Sequence, residues 1–231
     1  MTTGSDQAAA RGATVRAAGL GLRTRRGWLF RDVTADIGPG ELVALAGPSG
    51  SGRTSLLLAV AGRFVFDHGT LAVAGHTLPR ATPQVQRLAA PAYVTGAHEP
   101  EPALTATEHV TERLALLGLP RRRAGLRGRA YARAVLAGSA YDGDPDVLGR
   151  DLDPYHRQTL CLALARLARP RLVVVDDVDV GLDTAERAAL WAALRAVADT
   201  GVTVLASCRE PLDAPVDQVL TARATAPEED A

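Results

Sequence analysis

The sequence predicts an α/β fold on a largely parallel core sheet, and three observations carry that reading. An apolar run, Leu42–Ala46, passes straight into the stretch GPSGSGRTS (Gly47–Ser55) and then into a helical pattern. Strand, glycine-rich loop, helix is the context of a phosphate-cradling loop. A second apolar run, Leu172–Val175, ends in the carboxylate pair Asp176 and Asp177. Strand-like and helix-like segments alternate around these two runs, as they do where helices connect parallel strands.

The elements follow in order. Residues 1–13 are small and polar and read as a flexible tail. ATVRAAGLGLRT and GWLFRDVTADI carry strand-like alternation of period two, with turn signals between them. After Leu42–Ala46 and its loop, RTSLLLAVAGR predicts a helix ending near Gly62. GTLAVAGHTLP reads as a hairpin and APAYVTG as a short strand. From Leu104 to about Leu148 the pattern is helical, an inserted helical lobe taken as about 104–156. YHRQTLCLALARLA predicts another helix before Leu172–Val175. LDTAERAALWAALRAVADTG is a helix with Asp183 as N-cap and Glu186 completing a capping box. VTVLASC is a further buried strand, and 222–231 reads as a second tail. One domain, 14–221, results.

Composition excludes several classes. The chain has 231 residues, 47% hydrophobic and 23% charged, with 26 basic and 26 acidic side chains. That balance gives no bulk signal for nucleic acid. The run Arg121–Arg123, with Arg127 and Arg129 behind it, reads as a solvated face or partner contact. No apolar run is long enough to span a bilayer, and the start lacks the apolar stretch of a secretory signal. Cys161 and Cys208 have no metal or redox spacing. A reducing, cytoplasmic setting follows. Every basic residue is arginine; lysine and asparagine are absent, and Ile37 is the sole isoleucine. Such a bias fits a GC-rich genome and accounts for the origin of Arg53, where a phosphate loop ordinarily carries lysine.

The loop's chemistry follows from its residues. Glycines at 47, 50 and 52 let the backbone curl until several N–H groups converge, and the helix starting near Thr54 adds its dipole. Gly47, Pro48, Ser49, Gly50, Ser51, Gly52, Arg53, Thr54 and Ser55 are thus the candidate nucleotide-binding residues. Thr54 offers a hydroxyl and Asp176 a carboxylate to Mg²⁺. Asp177 is placed to act on an attacking water. Arg53 keeps the charge, but its planar fork is bulkier than an ammonium. Nucleotide binding is expected to persist in altered form, with catalysis hurt more than affinity.

Longer stretches resemble the ATP-binding-cassette (ABC) family. DDVDVGLD is similar to that family's DEPTSGLD, keeping Asp176, Gly181, Leu182 and Asp183. LCLALARLARPRLVVVDD resembles VALARALxxxPxLLLLDE, with Arg166 and Pro170 in register. ALTATEHV resembles xLTVxENV through Leu104, Thr105, Glu108 and Val110. The likeness runs from about Val15 to about Leu220. It implies a phosphate-loop NTPase fold of ABC type, with a RecA-like core sheet, an inserted helical subdomain and an N-terminal antiparallel β subdomain. It also implies an ATP–Mg²⁺-binding subunit that dimerises head to tail, each ATP lying between one chain's phosphate loop and the other's signature motif.

The resemblance also has departures. The signature LSGGQ falls on Leu152, Asp153, Pro154, Tyr155 and His156, where only the leucine is kept. The Q-loop glutamine falls on Gly96, the catalytic glutamate on Asp177 and the switch histidine on Arg209. The adenine-stacking aromatic belongs near Thr24 or Arg25, with Trp28 the nearest candidate. Two functions stay open. One is an ATP-binding transporter subunit of degenerate catalytic motif, with slow or lost hydrolysis, paired with a membrane-embedded subunit at the inner face of the cell membrane, as homodimer or heterodimer. The other is a soluble regulatory or scaffold protein of the same fold that senses nucleotide. No nucleic-acid partner is expected.

Overall fold

The computed structural model describes residues 12–25, 27–118 and 126–222. Two sheets and six helices organise them. The strands are β1 (Val15–Thr24), β2 (Gly27–Ile37), β3 (Leu42–Ala46), β4 (His68–Val73), β5 (His76–Leu78), β6 (Ala89–Pro91), β7 (Leu172–Val175), β8 (Thr203–Cys208) and β9 (Gln218–Thr221). The helices are α1 (Arg53–Val60), α2 (Thr82–Leu88), α3 (Ala106–Leu116), α4 (Leu126–Ala137), α5 (Pro154–Leu167) and α6 (Thr184–Asp199).

Strands β2-β1-β4-β5 form an antiparallel sheet, and β6-β7-β8-β3-β9 a parallel one. The parallel strands are apolar on both faces, as sheets covered on both sides require. Val43, Leu45, Val174 and Leu205 pack with α1 against the antiparallel sheet. Alternate residues Leu42, Ala44, Val173, Val175 and Val204 meet α5 and α6 through Leu162, Leu190, Trp191 and Leu194. A third core, with Val110, Leu136, Tyr141, Leu152 and Leu160, builds the helical lobe. The parallel register sets the site: Val175 lies beside Ala206, and Ala46 beside Cys208. The chain segments leaving β3, β7 and β8 therefore emerge together at one edge.

Several sequence expectations are corrected. Helix does not run on from α4 toward Leu148, because Gly138, Gly143 and Pro145 interrupt the pattern and Tyr141–Asp144 form a loop instead. Helix α5 starts at Pro154, one residue before the predicted Tyr155: proline's fixed φ suits the first helical position, and Asp153 caps it. β6 ends at Pro91; Tyr93–Gly96 turns back through a bridge between Val94 and His98. Helix α2, entered through Pro83, and strand β9, alternately exposed and half-buried, were not anticipated. At the margins, Ala13 is fully buried and donates its N–H to Arg171 O, while Ala222 is buried and donates to Ala46 O. Arg121–Arg123 lie outside the described residues, and of Arg127 only the backbone, within α4, is described.

Candidate functional site

The loop Gly47–Arg53 leaves β3 and enters α1 at the sheet edge. Glycine is needed at two of its positions for reasons of space. A Cβ on Gly47 would approach Ala222 O to 2.4 Å, and one on Gly52, at φ +79°, would approach Leu29 O to 2.1 Å. Pro48, Ser49 and Gly50 are exposed, so the outer rim of the loop faces solvent, while Ser51 is buried with its hydroxyl unpaired. Helix α1 begins at Arg53 with no side-chain cap, which leaves its first N–H groups and dipole available to an anion.

Two carboxylates face this loop from the end of β7. Asp176 is almost fully buried; it accepts from Thr54 Oγ1 at 2.7 Å and, through its other oxygen, from Ser207 Oγ. Thr54 and Asp176 thus present adjacent hard oxygen donors, the set that suits Mg²⁺, an ion that takes one or two protein oxygens and completes its shell with phosphate and water. The residues fit that ion.

Asp177 is held in a left-handed conformation, φ +47°. Its N–H donates to Ser207 Oγ at 2.8 Å, and its carbonyl accepts from Gln158 Nε2 at 3.2 Å. Its carboxylate accepts from Arg53 Nη2 at 2.8 Å. The Arg53 side chain is 8% exposed, and its guanidinium also donates, through Nη1, to the carbonyls of Gly47 and Cys208. Arg53 therefore lies inside the loop as a strut between β3, β7 and β8. Burial, then the neighbouring Asp176 charge, raises the Asp177 carboxyl above its ordinary range, with Asp179 adding to the rise; Arg53 and Arg209 oppose it. Burial pushes the Cys208 thiol up to about 12, which disfavours its thiolate.

The remaining predicted residues are more scattered. Arg209 follows β8, and its N–H donates to Asp179 Oδ2 at 2.7 Å. Gly96 has φ +72°, with its N–H bonded to Glu99 Oε1 at 2.6 Å. Trp28 stacks edge-on against His68 with ring centroids 4.8 Å apart, flanked by the guanidinium groups of Arg23 and Arg31. Leu152 is buried in the lobe core. Asp153 caps α5, accepting from His156 N at 2.9 Å and pairing with His156 Nδ1 at 2.6 Å. Pro154 packs beside Gly181, where an added Cβ would meet its ring at 3.1 Å, and Tyr155 lies edge-on to His156. Two residues were missed. Ser207 ties Asp176 to Asp177, and its signal was a lone hydroxyl at the end of an apolar strand. Gln158 lies one turn into α5, and its buried Oε1 has no partner among the described residues.

Comparison with known proteins agrees with this geometry. The family model described as ABC transporter matches residues 30–179. The chain is 30% identical over 169 residues to the lipoprotein-releasing system ATP-binding protein LolD 2 of Caulobacter vibrioides, covering 72% of each. It is 34% identical over 187 residues to the sulfate/thiosulfate import ATP-binding protein CysA of Nocardia farcinica, covering 69% of this chain and 56% of that one. It spans only 13% of the ABC transporter G family member 41 of Oryza sativa subsp. japonica. The dimeric cassette MJ0796, described as a bacterial ABC transporter cassette, superposes with a TM-score of 0.74 at 18% identity, covering 91% of this chain and 94% of that one. A second structure of that cassette, bound to ADP and Pi, gives 0.73 at 18% identity, covering 94% and 97%.

Proposed function

This chain belongs to the ABC transporter family, and from that membership we propose that it is the ATP-binding subunit of an ABC-type transporter that holds ATP–Mg²⁺ at Gly47–Ser55 and turns it over slowly or not at all. The observation that carries the binding half is the Thr54–Asp176 contact at the mouth of an uncapped helix behind a glycine loop. Loop N–H groups and the α1 dipole would hold the phosphates. Thr54 and Asp176 would hold Mg²⁺, which when bound neutralises charge on the terminal phosphates. The observation behind slow turnover is the Arg53–Asp177 pair. A general base needs a free lone pair aimed at the proton it removes. One Asp177 oxygen is spent on Arg53, and the side chain is a methylene shorter than the family's glutamate. Gly96 has no side chain to orient water, and Arg209 replaces a histidine at the switch position.

In this reading the subunit pairs with a second ABC subunit, identical or not. It docks from the cytoplasmic side onto a membrane-embedded subunit through the helical lobe 104–156 and the surface near Gly96. No helix among the described residues is long and apolar enough to cross a membrane itself. Calorimetric titration of the full chain with a slowly hydrolysed ATP analogue and Mg²⁺ tests the binding half. Saturable binding that Asp176→Ala weakens is expected; no binding at millimolar analogue overturns it. Turnover of about 1 s⁻¹, an ordinary enzyme rate, abolished by Asp176→Ala, overturns the slow half. A membrane pull-down that recovers no membrane-embedded partner removes the transporter assignment.

A further inference from the structure

We propose that the opposite edge of the parallel sheet carries a second anion site, a cleft for a phosphate-bearing small molecule or headgroup recognised by Arg166, Arg169 and Arg171. The cleft has a volume of about 630 Å³ and is lined by these three arginines with Pro170, Thr200 and Val202. Arg171 immediately precedes β7 and Val202 lies just before β8, while Asp176 and Arg209 follow the same strands. Four residues of strand, roughly 13 Å, separate the cleft from the phosphate-loop edge.

Charge gives the cleft its chemistry. No carboxylate lines it among the described residues. The closest acid in sequence, Asp199, is spent on Arg195 at 2.9 Å. Arg171 donates through Nε and Nη2 to Gly12 O at 3.1 and 2.7 Å, which fixes the side chain without neutralising it. The side chains of Arg166 and Arg169 are exposed and make no hydrogen bond or ion pair among the described residues. Three guanidinium charges around one concavity, in a chain of zero net charge, focus a positive field there. Arginine's planar fork matches phosphate oxygens bidentately. Pro170 and Val202 supply an apolar wall, and the volume is that of a small-molecule site, larger than a bare ion needs.

A plainer account is that the arginines balance the C-terminal dipoles of α5 and α6, both of which end here. Those ends are already closed by backbone. Ala168 N donates to Ala165 O, Arg169 N to Arg166 O, Thr200 N to Val197 O and Gly201 N to Ala198 O. The dipoles favour some positive charge, but they do not account for three cations converging on an open cleft. Arg169 also adopts φ +51° at the position after the helix cap, where glycine is the usual occupant.

Pyrophosphate binding by calorimetry tests the site, because the phosphate loop is a second, separable receptor for the same probe. The full chain is expected to bind two pyrophosphates and the Arg166→Ala/Arg169→Ala variant one. Affinity at the lost site should drop about tenfold or more per arginine removed and weaken with salt. Arg166→Lys/Arg169→Lys, which keeps charge but not the fork, should recover part of it. Cosedimentation with phosphatidylcholine vesicles containing phosphatidic acid separates the sources. Loss of cosedimentation in the alanine variant, with pyrophosphate stoichiometry unchanged, assigns the cleft to a lipid headgroup. Loss of one pyrophosphate site with cosedimentation unchanged assigns it to a dissolved phosphate compound. If neither changes, the proposal is wrong. ATP-analogue binding in the same variant reports independently on the phosphate loop, so failure of this site and failure of the ABC reading are distinguishable.

Discussion

Arg53 and Asp177 close an ion pair of 2.8 Å across the mouth of the phosphate loop, with the Arg53 side chain 8% and the Asp177 side chain 25% exposed. The residue expected to greet phosphate is therefore turned toward protein acceptors: one carboxylate and two carbonyls. Nucleotide entering the loop brings phosphate charge up to a carboxylate and competes with it for the guanidinium. Binding energy is spent on displacing Asp177 or on tolerating it.

Replacing Asp177 by asparagine should tighten nucleotide binding. Asparagine keeps an oxygen for Arg53 Nη2 but removes a negative charge from the neighbourhood of the phosphates. An affinity gain of about tenfold corresponds to roughly 1.4 kcal/mol, an ordinary value for one charge near a protein surface. Titration of both chains with an ATP analogue measures it. Equal or weaker affinity in Asp177→Asn would mean that the pair does not oppose phosphate.

Stability should depend on pH through the same carboxyl. Burial, then Asp176, raises Asp177 above its ordinary 3.8, and the attraction of Arg53 does not cancel that rise. A carboxyl that binds its proton more tightly folded than unfolded adds stability below 3.8 and loses it as pH climbs through the raised value. The melting temperature of Asp177→Asn relative to the parent should therefore climb across that window and level off above it. Thermal unfolding from about pH 3.5 to 7 reads the difference. A relative melting temperature that falls instead would show that Arg53 dominates.

Ser207 holds the Asp176 carboxylate and the Asp177 backbone in place and is fully buried. Ser207→Ala removes the donor to Asp176 Oδ1 and the acceptor of the Asp177 N–H. Leaving such groups unpaired costs about 1–3 kcal/mol. In a domain of this size that lowers Tm by several degrees, on the order of 2–4 °C per kcal/mol. The same variant should weaken Mg²⁺-dependent nucleotide binding, because Asp176 is no longer held toward Thr54. Unchanged Tm together with unchanged Mg²⁺ dependence would rule out this role.

The fold was legible wherever local pattern and burial agree. β2 and β3 match their sequence segments residue for residue, since period-two alternation marks one and a continuous apolar run the other. Helix α6 was readable from Asp183 and Glu186, whose capping box is formed. Helix α2 was not, because seven residues with one buried side chain, Val85, carry little periodicity. β9 was not, because its pairing with β3 is long-range and its own residues are half exposed. At the site, positions were readable and partners were not. Asp176 and Thr54 follow from motif and context. That Arg53 turns to Asp177, and that Ser207 bridges two acids, depends on the strand order β7-β8-β3, which no local stretch records.

The segment Leu152–His156 bears on association. Although burial pushes the Asp153 carboxyl up, bonds from the backbone and ring of His156 hold it below its ordinary value, so it is a fixed negative charge at neutral pH. It is 52% exposed at the start of α5. In the head-to-tail pairing implied by the family, this segment meets the partner's terminal phosphate. Like charges about 4 Å apart repel by about 4 kcal/mol near a protein surface. Pro154 offers no N–H there, and Tyr155 adds bulk where the family has glycine. The isolated chain should therefore form no tight homodimer with ATP, even as the Asp177→Asn variant, by size-exclusion chromatography with light scattering, which leaves slow association or pairing with a different ABC subunit. Asp153→Ser provides the contrast: serine caps a helix about as well as aspartate, so α5 is kept while the charge is removed. Added to Asp177→Asn, it should shift the population toward a dimer in ATP without lowering Tm. A tight ATP-induced homodimer with Asp153 intact would sink this argument, and a monomer in both variants would move the block from the charge to Pro154 and Tyr155.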